Sequence, residues 1–267
     1  MAIDFELKDK YDINDLISIV TALRAPGGCP WDREQTHESI RKNFIEETYE
    51  VIEAINKQDT AGLKEELGDV LLQVALHCEM EREKGNFNFD DVANDIVQKL
   101  VIRHPHVFGE VKANNEAEAL DSWNAAKQKS KGTKSRSEEM QSVPRELPAL
   151  MRAQKIQHKA SKVGFDWADV SGALDKLSEE INELKTAMSE GNQQAIGEEF
   201  GDVLFSCVNV SRFLGVDSEE ALTGATDKFV SRFTETERLA EERGIVMKEA
   251  PLEVLDALWE EAKIIKE

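Results

Sequence analysis

Two carboxylates three residues apart, answered by a second pair on a neighbouring helix, can hold a hard cation, and this chain carries that arrangement twice. Glu46-Glu47-x-x-Glu50 is followed by Glu65-Glu66-x-x-Asp69, and Glu179-Glu180-x-x-Glu183 by Glu198-Glu199-x-x-Asp202. Residues three apart project from one face of a helix. Four carboxylates gathered from two helices repel one another unless cations neutralise them. With 53 acidic residues among 267, a lone Glu-x-x-Glu is ordinarily a solvated helix face. The paired pattern differs because Glu47, Glu50, Glu66 and Asp69 recur 133 positions later as Glu180, Glu183, Glu199 and Asp202. The neighbours recur too: Leu67-Gly68-Asp69-Val70-Leu71 answers to Phe200-Gly201-Asp202-Val203-Leu204. A repeat on that scale means two homologous domains. Glycine inside a helix costs about 1 kcal/mol against alanine, so its recurrence beside the Asp suggests close helix packing there.

The elements that must position these groups are helices. Helical periodicity dominates and no convincing strand alternation occurs, so the fold class is all-α. Helices are predicted over 12–24, 37–57, 60–84, 89–103 and 116–130 in the first half. The second half gives 148–163, 171–189, 193–214, 218–242 and 252–265. Leu174, Leu177, Ile181, Leu184 and Met188 make an apolar stripe on the helix of Glu180 and Glu183. Phe200, Val203, Leu204 and Cys207 make another on the next helix. At about 100° per residue both acidic pairs fall on the flank of their stripe, where a cleft between packed helices could lie. The polar stretch Ser130–Ser137 reads as a linker. The expected organisation is therefore a domain over 1–130, a linker over 131–147 and a second domain over 148–267. Phe205, Val208 and Val210 are apolar beyond the main stripe. A short hairpin cannot bury them alone, and pairing with a second copy as a four-helix bundle would, so a homodimer is expected.

Composition narrows the chemistry. The formal charge of −20 repels nucleic acid polymers and anionic membranes. Cys29, Cys78 and Cys207 are too far apart in sequence for a Cys-x-x-Cys motif, which argues against zinc fingers and a disulfide scaffold and suits a reducing compartment. Met1-Ala2-Ile3-Asp4 opens no basic-then-apolar leader and no stretch approaches transmembrane length, so a cytoplasmic protein is expected. There is no Walker loop, H-E-x-x-H, G-x-S-x-G or G-x-G-x-x-G. Glu34-x-x-His37 matches the Glu-x-x-His of ferritin-like di-metal sites only once, and beside the Pro/Trp loop. His104-Pro105-His106 suits a cap or loop contact better than a metal, because proline breaks helical ligand spacing.

The repeat extends to cations and aromatics. Lys99-x-x-x-Arg103 matches Lys228-x-x-x-Arg232, and Trp123-x-x-x-Lys127 matches Trp259-x-x-x-Lys263. Singly these are ordinary surface residues. Together with cations on the carboxylates they suit a phosphorylated ligand: metal and guanidinium take phosphate oxygens, and an aromatic ring can stack a base. Trp31, in Pro26-Gly27-Gly28-Cys29-Pro30-Trp31-Asp32, and Trp167, in Val163-Gly164-Phe165-Asp166-Trp167, stand before the acidic helices. Such residues usually anchor a loop on the core, and base stacking is their less common role.

These strings, with Arg103-His104-Pro105-His106-Val107-Phe108 and the doubled Glu-Glu-x-x-Glu/Glu-Glu-x-x-Asp pattern, resemble the MazG nucleoside triphosphate pyrophosphohydrolases over nearly the whole chain. The resemblance implies an all-α fold of two tandem domains, a homodimer, dependence on Mg²⁺ with Mn²⁺ as a substitute, and cleavage of NTPs or dNTPs to NMP and pyrophosphate. Carried over by position, Glu180, Glu183, Glu199 and Asp202 would be metal ligands. Lys176, Glu179, Glu180, Glu198, Lys228, Arg232 and Trp259 would surround the nucleotide. Glu47, Glu50, Glu66 and Asp69 would form a possible second site in the first copy. The resemblance favours the second copy as catalytic, and Lys176 agrees, since its counterpart is Asn43. Ala195 and Ser231 depart from the pattern at positions where Lys and a second Arg are expected. The implied chemistry is attack of water on the α-phosphorus, with Glu179 or Glu198 taking its proton. A reading from another class remains open here, an acidic helical interaction module without catalysis, as do damaged nucleotides or guanosine alarmones as substrates.

Overall fold

The computed structural model describes residues 5–131 and 135–266, apart from the side chains of Gln128, Lys131, Arg136 and Lys266. The extreme N-terminus and residues 132–134 of the expected linker lie outside the described residues. Among them regular structure is helical throughout. In the first unit these are α1 (Ile13–Arg24), α2 (Pro30–Glu34), α3 (His37–Asn56), α4 (Thr60–Glu83), α5 (Phe89–Arg103), α6 (Pro105–Phe108) and α7 (Glu116–Lys131). In the second they are α8 (Arg136–Gln141), α9 (Ala149–Ser161), α10 (Val170–Glu190), α11 (Gln193–Phe213), α12 (Ser218–Glu242) and α13 (Leu252–Lys266). The chain divides into compact units at 1–133 and 134–267. The ten long helices match the sequence reading to within a few residues. Three short ones, α2, α6 and α8, escape it, being too short to show a period. Proline at the first turn starts α2 and α6, and a Ser135 capping box starts α8.

Each unit is built on an acidic hairpin, α3–α4 in the first and α10–α11 in the second. The turn of the second is Gly191, left-handed at φ 68°, followed by Asn192, whose side chain accepts from the Ala195 amide to cap α11. At the matching place in the first unit Gln58 adopts φ 55° and Asp59 caps α4. A side chain there costs about 1 kcal/mol that glycine avoids. A further helix then lies on the second helix of each hairpin: α1 on α4, and α9 on α11.

The cores differ. In the first unit Val20, Ile40, Ala75, Leu76 and Met80 pack together across α1, α3 and α4. In the second, the largest buried cluster is Leu239, Ala240, Leu258 and Ala262, within a second hairpin made by α12 and α13. Among the described residues α10 packs substantially against α11 alone. Its stripe consequently stays partly uncovered, with Leu174 45%, Ile181 37% and Met188 61% exposed. The expected close packing at Gly68 and Gly201 is not met within the chain. A Cβ added at either would touch nothing within 4 Å, because both lie on exposed faces of their hairpins.

Candidate functional site

The acidic hairpins bring the sequence-predicted carboxylates together twice. Oxygens of Glu180, Glu199 and Asp202 lie within 4.8 Å of one another, and so do those of Glu47, Glu66 and Asp69. The fourth members join them electrostatically. Glu183 is hydrogen-bonded to Glu180, which together with partial desolvation raises the Glu183 carboxyl above its ordinary range. In the first unit Glu47 is raised by desolvation and by its hydrogen bond to Glu50, and Glu66 by desolvation and the charges of Glu50, Glu65 and Asp69. Crowded, hard oxygen donors of this kind fit a divalent cation such as Mg²⁺.

The two clusters differ in their surroundings. Glu180 is buried in the α10–α11 interface, Glu199 is half-buried and Asp202 exposed. Lys176, one turn before Glu180, donates to Glu180 at 2.7 Å and to Glu179 at 2.8 Å. Those two bonds push its ammonium well above the ordinary lysine range. Glu198, across the hairpin, accepts from the neutral amide of Gln194 at 3.0 Å. In the first unit the position of Lys176 is held by half-buried Asn43.

Lys228, Arg232 and Trp259 sit apart from the quartet in sequence and on another hairpin. Lys228 and Arg232 ride on α12, and Trp259 on α13 packs its ring 5.1 Å from that of Phe229. α12 lies on α9 and meets the end of α11. In the first unit α5 and α7 place the Arg103 guanidinium 5.6 Å and the Lys127 ammonium 4.5 Å from the Trp123 ring centroid. Lys99 is exposed. His104 caps α5 and bonds the Leu100 carbonyl at 2.7 Å, the capping role its Pro neighbour suggested.

The loop tryptophans are less anchored than expected. Trp31 is 61% and Trp167 47% exposed. Trp167 lies against Gly172 at the start of α10, where a Cβ would come within 2.9 Å of the ring. Behind it is a cavity of about 440 Å³ in the second unit, whose lining includes Gln157, Trp167, Phe205, Asn209 and Arg212. No single-residue signal marks these positions. The repeat offset could have found one of them, since Gln157 falls where the first unit has Arg24.

Comparison with known proteins follows the same division. The profile of the MazG nucleotide pyrophosphohydrolase domain matches residues 35–108 and again 169–236. A Thermotoga maritima protein called nucleoside triphosphate pyrophosphohydrolase/pyrophosphatase MazG is 48% identical over 249 residues, 93% of this chain and 94% of that relative. An Escherichia coli K12 nucleoside triphosphate pyrophosphohydrolase is 42% identical over 254 residues, 94% of this chain and 97% of its own length. A Bacillus subtilis protein, YabN, called uncharacterized, is 48% identical over 95% of this chain, which spans 52% of it.

Proposed function

The chain belongs to the MazG nucleotide pyrophosphohydrolase family, and from that premise we propose that its second unit hydrolyses nucleoside triphosphates between the α- and β-phosphates. The observation that carries this reading is the meeting of Glu180, Glu199 and Asp202 oxygens within 4.8 Å, with Lys176 bonded to the same cluster. Glu180, Glu183, Glu199 and Asp202 would hold Mg²⁺, or Mn²⁺ in its place. That cation would neutralise phosphate oxygens and make the α-phosphorus more electrophilic.

The chain's own residues supply the remainder. Water attacks the α-phosphorus, the bond to the bridging oxygen breaks, and pyrophosphate leaves with its electron pair. Glu179 or Glu198, neither of them needed to hold the cation, takes the water's proton. Lys176 exchanges its carboxylate partners for β- and γ-phosphate oxygens when substrate arrives. Lys228 and Arg232 neutralise the far end of the triphosphate, and Trp259 closes beside the nucleotide.

A homodimer belongs to the same proposal. The uncovered stripe of α10, the open space beside Gly201, and exposed Phe229, Val230 and Phe233 on α12 form faces that a second copy would bury. Sedimentation at micromolar concentration should give twice the chain mass, and a monomer would contradict it. No helix among the described residues is long and apolar enough to cross a membrane.

The test of function is a nucleotide panel assayed for monophosphate and pyrophosphate release with and without Mg²⁺. Stoichiometric release of both products, abolished by EDTA, is expected. Release of inorganic phosphate instead would move the cleavage to another bond.

A further inference from the structure

His37, in the first turn of α3, meets His77 and Glu81, one turn apart on α4, at the open end of the first unit's acidic hairpin. The two imidazoles are nearly parallel, 5° between their planes, and their Nδ1 atoms face each other at 2.6 Å. The other nitrogen of His37, Nε2, lies 2.6 Å from Glu81 Oε1. Glu81 also accepts from Lys84 at 2.7 Å and Asn86 at 2.6 Å. Those two bonds, with the one to His37, hold its carboxyl down at about 2. An ionised carboxylate only accepts, so Nε2 of His37 carries the proton between them. In the neutral ring that leaves Nδ1 of His37 as a lone pair directed at His77. Burial, and then the neighbouring His37, push His77 below the ordinary imidazole range. Two ring nitrogens thus confront each other across a gap that one proton, or one cation, can fill.

The repeat shows that the fold does not require these groups. At the offset of 133, Val170, Val210 and Leu214 stand in place of His37, His77 and Glu81. The second hairpin closes there with aliphatic side chains, which carry none of the desolvation cost of a half-buried imidazole pair.

The donor chemistry also differs from that of the carboxylate clusters. Imidazole nitrogen suits borderline transition metals such as Zn²⁺, whereas carboxylate oxygens suit Mg²⁺. A metal-bound histidine ordinarily donates its second N–H to a carboxylate, which fixes the tautomer and raises the basicity of the ligand. Glu81 already stands in that relation to His37. The carboxylate serving His37 therefore comes from α4, and not from Glu34 of the Glu-x-x-His string.

The place can admit an ion. Two Zn–N bonds at a tetrahedral angle set their nitrogens about 3.3 Å apart, so the rings must part by roughly 0.7 Å from the present 2.6 Å. His37 sits at a helix end with 32% of its side chain exposed, which allows that shift and gives a path from solvent. The Phe44 ring stands 6.0 Å from that of His77 and supplies an apolar neighbour. His77 lies eight residues beyond Asp69 on α4, about 12 Å along the axis, so the pair is separate from the carboxylate cluster.

We propose that His37 and His77 form a transition-metal site of the zinc type in the first unit, with their Nδ1 atoms on the ion, Glu81 orienting His37 from outside the coordination sphere, and water in the remaining positions. The site depends neither on the acidic quartets nor on hydrolysis.

The test is titration of the full-length chain with Zn²⁺ in millimolar Mg²⁺, which occupies the oxygen clusters, followed by X-ray absorption of the equimolar zinc complex. The spectrum of wild type should show scattering from two imidazoles. His77→Phe should remove this binding. Glu81→Gln should weaken it by about tenfold or more, the cost of losing an outer carboxylate. His106→Ala and Glu47→Gln should leave it unchanged. Absence of binding, zinc held by oxygen alone or by a single imidazole, or binding that survives His77→Phe would overturn the proposal. If His77→Phe does not fold, the wild-type spectrum and the affinity of Glu81→Gln decide it.

Discussion

The two acidic hairpins repeat the same carboxylates at the same spacing and differ in what stands beside them. In the second unit Lys176 bonds Glu179 and Glu180. In the first, Asn43 holds that position and the Glu47 and Glu66 carboxyls are raised by desolvation, with neighbouring carboxylates adding to it. The difference extends to the helix behind: Arg24 closes the first unit with four hydrogen bonds, and Gln157 leaves the second open. A duplicated scaffold has thus kept one carboxylate geometry twice while placing a lysine on the cluster, and a cavity of about 440 Å³ beside Gln157, in the second copy. The contrast teaches that the carboxylate quartet alone is no measure of which copy does the chemistry.

The strongest break of this comparison is to neutralise each cluster in turn. Glu180→Gln or Asp202→Asn should lower turnover by about a thousandfold, the scale of several kcal/mol of transition-state stabilisation. Glu47→Gln and Asp69→Asn should leave the rate within about twofold if the first unit is not catalytic. Steady-state rates at saturating Mg²⁺, with helicity checked by circular dichroism, decide it. If the first pair of variants turns over like wild type, the site belongs to the first unit.

Dividing the chain sharpens the same point. Fragments should part at 132–135 rather than at Pro144, because Val143 is buried and α8 packs on α9. A fragment from Ser135 onward should keep most pyrophosphohydrolase activity, and one ending near Ser130 should keep little. Both must be shown folded, since an unfolded half gives a trivial negative. A faster first half would remove the significance given to Lys176.

A single exchange tests Lys176 itself. Lys176→Asn writes the first unit's residue into the second and should raise KM for a triphosphate about tenfold, one charge-assisted bond. The reverse change, Asn43→Lys, should not by itself make the first unit an enzyme. If KM is unmoved by Lys176→Asn, that ammonium is only a surface ion pair of Glu179 and Glu180.

Much of this was legible in sequence, for identifiable reasons. The ten long helices declare themselves by period, and the carboxylates by a repeat that survives at an offset of 133. What stayed hidden depends on contacts made at a distance. Gln157 looks like any polar residue in α9 until Phe205 turns its amide. Trp167 resembles a core anchor until Gly172 is seen to seat it at the surface with 47% of it exposed. The helical glycines misled in the opposite direction: their spacing suggested packing, and the space beside Gly68 and Gly201 is open within the chain.

The smallest expected effect is on stability, and it has a definite sign. The Glu47 and Glu66 carboxyls are raised above their ordinary range in the folded first unit. Between the unfolded and the raised folded values, the folded state holds more protons than the unfolded one. Stability therefore falls as pH rises through that interval, and the cluster destabilises the fold most when fully ionised. A divalent cation removes the repulsion and binds only the assembled cluster, so it should restore what ionisation took away. In the fragment ending near Ser130, the melting temperature in EDTA should be lower at pH 7.5 than at pH 5 by about 2 °C once Glu47→Gln is subtracted as the control. Millimolar Mg²⁺ should recover that difference in wild type and not in Glu47→Gln. The second unit, where Glu183 is raised but Lys176 bonds Glu180, should respond less to pH. Equal pH slopes in the two fragments would mean that the lysine leaves the repulsion in its cluster unrelieved.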